Sequence, residues 1–212
     1  MVPEHTNVTK PHPSPGLFAH AVLRTTMDHY EEMSQWYIDL LSAEIVHKTA
    51  NITFLRYDEE HHRIAIFASP DHVPKIEGHR TAEVDHLAFT YPTLTELAHV
   101  YTSLKSRERP WKPVWTINHG PTTSIYYRDP DGNKVELQVD NFDTKEEADA
   151  FMKGPLFSMN PIGTEIDADE WAEEILAKVL PNGEEGLSND DIKRIKTRKE
   201  IGERYSLPEG LS

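Results

Sequence analysis

The chain has 212 residues, of which 37% are hydrophobic and 27% are charged, and its formal net charge is −14. This length suffices for one medium domain or two small packed modules. The acidic balance argues against nucleic acid and anionic membranes as partners. Because the chain contains no cysteine, disulfides, thiol nucleophiles and thiolate metal sites are excluded. Any bound metal must therefore be held by His, Asp or Glu.

The first residues of the chain, 1–15, lack the apolar core of a signal peptide. We expect them to form a flexible N-terminus. No run in the sequence approaches the ~20 apolar residues that a membrane-spanning helix requires. We therefore expect a cytoplasmic protein that has no membrane partner.

A first structural pattern occupies about residues 16–80. It opens with the apolar stretch Leu17–Leu23, which contains His20. Asp28 and Glu31 form a capping-box pattern that predicts the start of a helix. Apolar residues then recur at helical spacing, at Tyr30, Met33, Tyr37 and Leu41. Three runs typical of β-strands follow, at residues 44–47, 52–57 and 63–68.

A second copy of this pattern occupies about residues 81–142. It opens with Val84–Thr90, which contains His86, and Thr93 with Glu96 predicts the next helix start. The helical face that follows consists of Leu94, Leu97, Tyr101 and Leu104. Strand-like runs lie at residues 114–118, 124–128 and 134–139. The last two are joined by Asp129–Gly132, whose Asp-Pro-Asp-Gly sequence suits a type I turn.

The order βαβββ therefore appears twice, with His20 and His86 at matching positions. A duplicated fold brings equivalent residues together across a pseudo-twofold axis, which would place these two histidines at one centre. Coincidence between two unrelated αβ units is the alternative. We predict an α+β fold in which paired βαβββ modules form one metal-binding domain over residues 16–142.

The character of the sequence changes after residue 142. Three pairs of residues resemble helix starts: Thr144/Glu147, Asp167/Glu170 and Ser188/Asp191. Trp171, Ile175 and Val179 form an apolar stripe that the sequence Pro181–Gly183 should terminate. Residues 143–212 are thus predicted to form a mostly helical C-terminal extension that packs on the sheet or on a neighbouring subunit.

One segment of the second copy, residues 119–136, resembles the signature of extradiol ring-cleavage dioxygenases. These enzymes belong to the vicinal oxygen chelate superfamily, whose fold is a paired βαβββ module. The resemblance runs from about Leu17 to Phe142. The motif is matched in residue type and in spacing at His119, Tyr126, Asp129-Pro130, Gly132 and Glu136.

The resemblance implies one metal ligand on the first strand of each module and a third ligand at the signature Glu. The corresponding residues here are His20, His86 and Glu136. Two His and one carboxylate form the facial triad of non-haem Fe(II) oxygenases, which leaves positions open for substrate and O2. Mn(II) accepts the same ligand types. For each residue taken alone, a packed or solvent-facing place on a strand is the alternative.

Three further residues are implied to act on the substrate. In the segment Glu60-His61-His62-Arg-Ile-Ala-Ile, the residue two before the Ile-Ala pair best matches the family's acid/base histidine, which selects His62. An imidazole with a pKa of about 6.5 can exchange protons near neutral pH. Its neighbour His61 would point the other way on a strand. His119 and Tyr126 match residues that hydrogen-bond substrate oxygens. The alternatives are exposed hairpin histidines, a loop histidine and a core tyrosine.

The remaining polar and aromatic residues near the motif are given ordinary roles. Asp85 is explained by its adjacency to His86. Three aromatic residues could line an aromatic pocket, but core packing is the better explanation for each: Phe89, Trp111 and Trp115.

The resemblance as a whole implies a dioxygenase that opens a catechol-type ring with O2 to a semialdehyde. The two oxygens of the diol would chelate a bound Fe(II), which would favour deprotonation of one hydroxyl, and His62 would accept the second proton. Many family members carry four modules whereas this chain carries two, so we also expect a homo-oligomer.

Two alternatives stay open. Glyoxalase-type enzymes of the same fold usually draw a fourth, carboxylate ligand from the last strand of the first module. No Asp or Glu lies between Glu60 and Asp71 here, which favours an open site with three ligands. A metal-free binding or resistance protein of the same fold would not need the three proposed ligands, so metal analysis separates it from the enzyme.

Overall fold

The computed structural model describes residues 12–76, 82–183 and 186–211. The first copy of the pattern consists of β1 Ala21–Thr25, α1 Tyr30–Leu41, β2 Glu44–Lys48, β3 Ile52–Arg56 and β4 Ile64–Ala68. The second consists of β5 His86–Thr90, α2 Leu94–Lys105, β6 Trp115–Asn118, β7 Thr122–Arg128 and β8 Lys134–Asp140. The α+β class and the paired βαβββ order are confirmed. Residues 1–11 and the predicted module boundary near residue 80 lie outside the described residues.

The chain divides into two compact units. The first contains the first βαβββ copy together with the turn Asp129–Gly132, and the second contains the second copy and the C-terminal extension. Among the described residues, no helix combines the length and the apolar character needed to cross a bilayer.

The sheet of the first unit has the strand order β1-β4-β3-β2, with β1 parallel to β4 and the other pairs antiparallel. Helix α1 packs on β3 and β4. Its buried apolar face consists of Tyr30, Met33, Tyr37 and Leu40. The predicted stripe is therefore correct except at its last position, where Leu40 and not Leu41 is buried.

The predicted capping box at the start of α1 is wrong. The helix begins at Tyr30, and its N-cap is His29, which makes no side-chain capping bond. His29 already has near-helical dihedral angles, φ −93° and ψ −5°, and its carbonyl accepts from the Met33 N–H at 2.8 Å. Asp28 lies one residue too early to cap this helix.

The Asp129–Gly132 turn is held by hydrogen bonds within the first unit. The Gly132 N–H donates to the Asp129 carbonyl at 2.9 Å, as the predicted β-turn requires. The buried Asp129 carboxylate accepts from the Tyr37 hydroxyl at 3.0 Å. Asp131 Oδ1 lies 2.6 Å from His29 Nδ1. The turn is thus bonded to α1 at two points, the N-cap His29 and Tyr37 two helical turns later.

The sheet of the second unit has the strand order β5-β8-β7-β6-β9, with β5 parallel to β8. The predicted apolar face of α2 is buried at all four positions: Leu94, Leu97, Tyr101 and Leu104. Thr93 caps this helix, and its hydroxyl accepts from the Glu96 N–H at 3.1 Å. The predicted start of α2 is therefore confirmed.

The C-terminal extension is mostly helical. Its described elements are α3 Lys145–Met152, α4 Pro155–Met159, β9 Thr164–Glu165, α5 Ala168–Leu176 and α6 Asn189–Lys196. The three predicted caps, at Thr144, Asp167 and Ser188, all accept backbone N–H groups.

Two details of the extension differ from the expectation. Helix α5 ends at Leu176, so Val179 lies outside it and the sequence Pro181–Gly183 does not terminate it. The short strand β9 was not predicted. It pairs with β6, where Ile117 faces Glu165. A run of two residues carries no recognisable strand pattern, so only the tertiary contact with β6 identifies it as a strand.

Candidate metal and substrate site

The second unit brings two predicted metal ligands together. His86 opens β5 and Glu136 lies on the parallel neighbour β8, where Ala88 is directly opposite Glu136. Residues two apart on a strand face the same side of the sheet, so His86 and Glu136 share one face. His86 Nε2 lies 2.9 Å from Glu136 Oε2, and the Glu136 side chain is only 6% exposed.

The second ring nitrogen of His86 is held by Asp85. Asp85 Oδ2 lies 2.7 Å from His86 Nδ1, and Asp85 Oδ1 lies 2.9 Å from Lys134 Nζ. Lys134 also donates to the main-chain carbonyl of Leu211 at 2.6 Å. A carboxylate on one imidazole nitrogen fixes the ring orientation and leaves the other nitrogen free to bind a metal. The sequence alone gives Asp85 no functional role, because its position next to His86 in the sequence does not show that its side chain contacts the His86 ring.

The electrostatics of this pair suit a cation. The hydrogen bond to Glu136 raises the pKa of His86 in spite of the opposing effect of burial, and Asp85 adds to the rise. Burial alone would raise the pKa of Glu136, but hydrogen bonds from His86 and Ser124 outweigh it and hold that pKa below its usual value. Imidazole nitrogen and carboxylate oxygen are ligand types that Fe(II) and Mn(II) accept. The residues therefore fit a metal that takes the place of the proton between them.

Tyr126 and His119 lie beside the pair. Tyr126 on β7 is directly opposite Glu136, and its ring is 5.4 Å from the His86 ring at nearly a right angle. The Tyr126 hydroxyl lies 2.9 Å from His119 Nε2, which is 4.0 Å from Glu136 Oε1. The structure thus places both residues next to a proposed ligand, as the signature implied.

Burial decides the protonation of these two residues. It lowers the pKa of His119, which favours the neutral imidazole. Burial, followed by the charge of Glu136, raises the pKa of Tyr126. The pair therefore consists of an un-ionised hydroxyl and a neutral ring, which can donate and accept the hydrogen bond that joins them.

Trp115 is the aromatic residue whose place sequence reasoning misjudged. It is half-buried, and its ring lies 5.1 Å from the Tyr126 ring and 5.4 Å from the His119 ring. Its indole N–H donates to Glu165 at 3.3 Å, and Glu165 is paired with Arg204 at 2.5 Å. The pairing of β6 with β7, in which Trp115 faces Tyr126, brings the indole to this place.

The first unit brings together His20 and His62. His20 immediately precedes β1, His62 lies two residues before β4, and their ring centroids are 4.4 Å apart. This follows from the parallel pairing of β1 with β4, in which Ala21 faces Ile64. Burial, with His20 and His61 nearby, lowers the pKa of His62.

The expected orientation of His61 is wrong. It was predicted to point away from His62, yet the Nδ1 atoms of the two rings are 2.5 Å apart. The strand argument fails because both histidines lie in the bend before β4 and not on the strand itself.

Over the described ranges, no group of three or more His, Asp and Glu side chains is arranged to hold a metal ion. The second unit supplies the pair His86 and Glu136, and the first unit supplies His20 beside His62. The set of three ligands stays a prediction.

Comparison with known proteins identifies the family. Residues 17–137 match the Glyoxalase/Bleomycin resistance protein/Dioxygenase superfamily. The chain is 45% identical over 151 residues to biphenyl-2,3-diol 1,2-dioxygenase 2 of Rhodococcus globerulus, a match covering 71% of this chain and 76% of the relative. It is 43% identical over 161 residues to biphenyl-2,3-diol 1,2-dioxygenase 3 of the same organism, covering 76% and 83%.

Among solved structures, a lactoylglutathione lyase from Agrobacterium tumefaciens aligns with a TM-score of 0.47 and 20% identity. That match covers 61% of this chain and 96% of the other. The resemblance to extradiol dioxygenases that the motif indicated is confirmed by the two Rhodococcus relatives. The chain belongs to the Glyoxalase/Bleomycin resistance protein/Dioxygenase superfamily.

Proposed function

We propose that this chain is a metal-dependent extradiol dioxygenase that opens the ring of a catechol-type diol with O2 to a semialdehyde. The observation that carries the proposal is the pair formed by half-buried His86 and buried Glu136, flanked by Tyr126 and His119, in a chain 45% identical to a biphenyl-2,3-diol 1,2-dioxygenase.

The proposed metal is Fe(II), with Mn(II) as the alternative, and the proposed ligands are His20, His86 and Glu136. The contacts of His86 and Glu136 support two of these assignments. His20 rests on the duplicated sequence pattern and on the family motif. A bound Fe(II) would supply coordination positions for the diol oxygens and for O2.

We assign the remaining work to three further residues. His62 accepts a proton from a substrate hydroxyl and returns it later, because its lowered pKa keeps the imidazole available as a base near neutral pH. His119 Nδ1 is bonded to the Ile162 carbonyl, so Nε2 of the neutral ring accepts from the Tyr126 hydroxyl and fixes its direction. The Tyr126 oxygen is then able to accept a hydrogen bond from a substrate hydroxyl.

The proposed substrate class is an aromatic diol. The two Rhodococcus relatives are named for biphenyl-2,3-diol, whose diol ring carries a second aromatic ring. The faces of Trp115 and Tyr126 offer an aromatic surface in the second unit. Aromatic rings attract one another beyond the effect of buried area alone. We therefore expect aryl-substituted catechols to be turned over better than catechol itself.

The test is to load the purified protein with iron without oxygen and then add a panel of diols in air. Formation of yellow semialdehyde products by the iron-loaded protein, but not by the metal-free protein, is the expected result. Stoichiometric metal content with no product from any diol would contradict the dioxygenase and favour a lyase or isomerase of the same fold. Undetectable metal binding with retained diol binding would favour a metal-free binding protein.

The role of Glu136 is tested by Glu136→Ala. This variant should lose metal, because it removes the buried carboxylate that faces His86 Nε2. Glu146→Ala is the matched control, since Glu146 lies exposed in the first turn of α3. Metal content is measured by elemental analysis. Full metal content in Glu136→Ala would remove Glu136 from the proposed ligands.

The homo-oligomer expected from the sequence stays a prediction. We propose that copies of this chain associate, and the mass of the protein in solution measures this directly.

A further inference from the structure

The C-terminal extension reaches the loop that carries His119. We propose that Arg198 is a positioning residue that holds His119 in one orientation and one tautomer. The inference rests on the role of His119 in the proposed function, but every contact that supports it lies within the second unit.

The His119 loop and the C-terminal extension approach each other so closely that the two glycines at the contact, Gly120 and Gly163, leave no room for a Cβ atom. Gly120 has a φ of +104°, and a Cβ there would lie 2.2 Å from the Phe151 ring of α3. Gly163, just before β9, has a φ of +115°, and a Cβ there would lie 2.4 Å from the Asn118 carbonyl oxygen. Only glycine adopts such conformations at low cost. The extension is therefore packed directly against both sides of the His119 loop.

Arg198 forms the centre of this contact. Its side chain is only 1% exposed, and it donates to the carbonyls of His119 at 2.9 Å, Asn160 at 2.7 Å and Leu156 at 3.2 Å. It is also paired with Glu200, through Nε to Oε1 and Nη2 to Oε2, both at 2.9 Å. Burying a guanidinium is costly unless its hydrogen bonds are satisfied. This guanidinium joins its own segment to two others, the His119 loop and α4 with its C-cap Asn160, which a lysine ammonium cannot do with the same planar geometry.

The same cation anchors the acceptor that orients the His119 ring. His119 Nδ1 forms a short hydrogen bond to the Ile162 carbonyl. Since a carbonyl oxygen can only accept, the proton must lie on Nδ1, and the lone pair of Nε2 then faces the Tyr126 hydroxyl. The segment that bears Ile162 is closed by Asn160, whose side chain accepts from the Gly163 N–H at 2.7 Å. Arg198 therefore holds both the main chain of His119 and the segment that selects its tautomer.

The experiment compares Arg198→Met and Arg198→Lys with the parent protein. In metal-free protein, the ring nitrogens of His119 are observed by ¹⁵N NMR and assigned with His119→Gln. We expect one tautomer in the parent, a mixture in Arg198→Met and an intermediate result in Arg198→Lys. In the iron-loaded protein, kcat should fall by about 10–100-fold in Arg198→Met, with KM changed much less. The control is Arg194→Met, because Arg194 lies exposed on α6 and pairs with the acidic side chains of Glu174 and Asp191.

A folded Arg198→Met variant with a single His119 tautomer and unchanged kcat would overturn the inference. If Arg198→Met does not fold, Arg198→Lys decides by the same two readouts. The NMR measurement needs neither metal nor turnover. Mixed tautomers in a protein that cleaves no diol would therefore support the positioning role while contradicting the proposed function.

Discussion

At the scale of single residues, the side chains that support His86 matter as much as the ligand itself. Asp85 holds His86 Nδ1, and Lys134 holds Asp85. Lys134 is in turn bonded to the Leu211 carbonyl near the end of the chain. This series of contacts orients a proposed ligand without touching the metal, and partners of this kind commonly tune metal affinity.

Asp85→Asn should weaken metal binding by about 10–100-fold. The amide keeps the size of the side chain but removes the charge that favours a metal-bound imidazole. The measurement is a titration of metal-free protein with Mn(II), followed by electron paramagnetic resonance. Asp140→Asn, at the exposed end of β8, is the matched control. Equal affinities in the two variants would show that Asp85 does not support the ligand.

His62→Phe should keep its metal but slow turnover by about 10²–10⁴-fold, the usual contribution of an acid/base group. Phenylalanine retains an aromatic ring against His20 and Phe54 but cannot carry a proton. The comparison uses His99→Phe, an exposed position on α2. Elemental analysis and kcat are measured on the same samples. Normal turnover by His62→Phe would exclude it as the proton carrier.

At the scale of elements, the two equivalent helices begin in different ways. Thr93 caps α2 with its own side chain. The N-cap of α1, His29, makes no side-chain capping bond and instead contacts Asp131 of the β-turn. A contact distant in sequence thus takes the place of a local one. This explains why the capping-box pattern predicted one helix start correctly and the other wrongly.

The His29–Asp131 contact should stabilise the protein more at low pH. The hydrogen bond to Asp131 raises the pKa of His29 above its ordinary value of about 6.5. A raised histidine pKa gives stability that is complete below the unfolded-state pKa and is lost as the pH rises through the folded-state pKa. The contribution is therefore full below about pH 6.5 and declines above it.

The measurement is a double-mutant cycle in urea with His29→Gln and Asp131→Asn. The coupling free energy should be larger at about pH 5.5 than at about pH 8.5, because the charge on His29 is lost as the pH rises through its raised pKa. A coupling that is equal at both pH values would contradict the assignment of this contact to a charged histidine.

At the scale of the whole molecule, the C-terminal extension is part of the second unit. Helix α5 packs on α2, with Trp171, Ala172 and Ile175 buried, and β9 adds a strand to the sheet. Arg198 and Glu165 then contact the loop of His119 and the indole of Trp115. The extension was expected to pack on the sheet, and it also contacts the residues that surround the candidate site.

Ile175→Ala should lower the free energy of unfolding by about 2–5 kcal/mol, as expected for a buried large-to-small substitution. Ile175 has no exposed surface, so the substitution leaves a cavity beneath α5. Leu180→Ala is the control, since Leu180 is 46% exposed. Urea unfolding of metal-free protein provides the comparison. Equal losses in the two variants would show that α5 does not belong to the core of the second unit.

The features that the sequence determined by itself are those encoded by local pattern. Hydrophobic spacing predicted the helices and strands of both copies, and Asp129–Gly132 predicted the turn. The signature motif singled out His119, Tyr126 and Glu136, and in the structure Tyr126 on β7 pairs opposite Glu136 on β8 while His119 contacts Tyr126. These properties depend on neighbours that are close along the chain or on a spacing shared with a family.

The tertiary structure alone decided the partners of these residues. Three supporting side chains bind main-chain carbonyls, and a main-chain carbonyl is the same in every residue. Lys134 binds the carbonyl of Leu211, His119 that of Ile162 and Arg198 that of Asn160. The pairing of β9 with β6 and the place of Trp115 likewise depend on how distant segments meet. Such contacts leave no signal in residue identity, so they became visible only once the path of the chain was known.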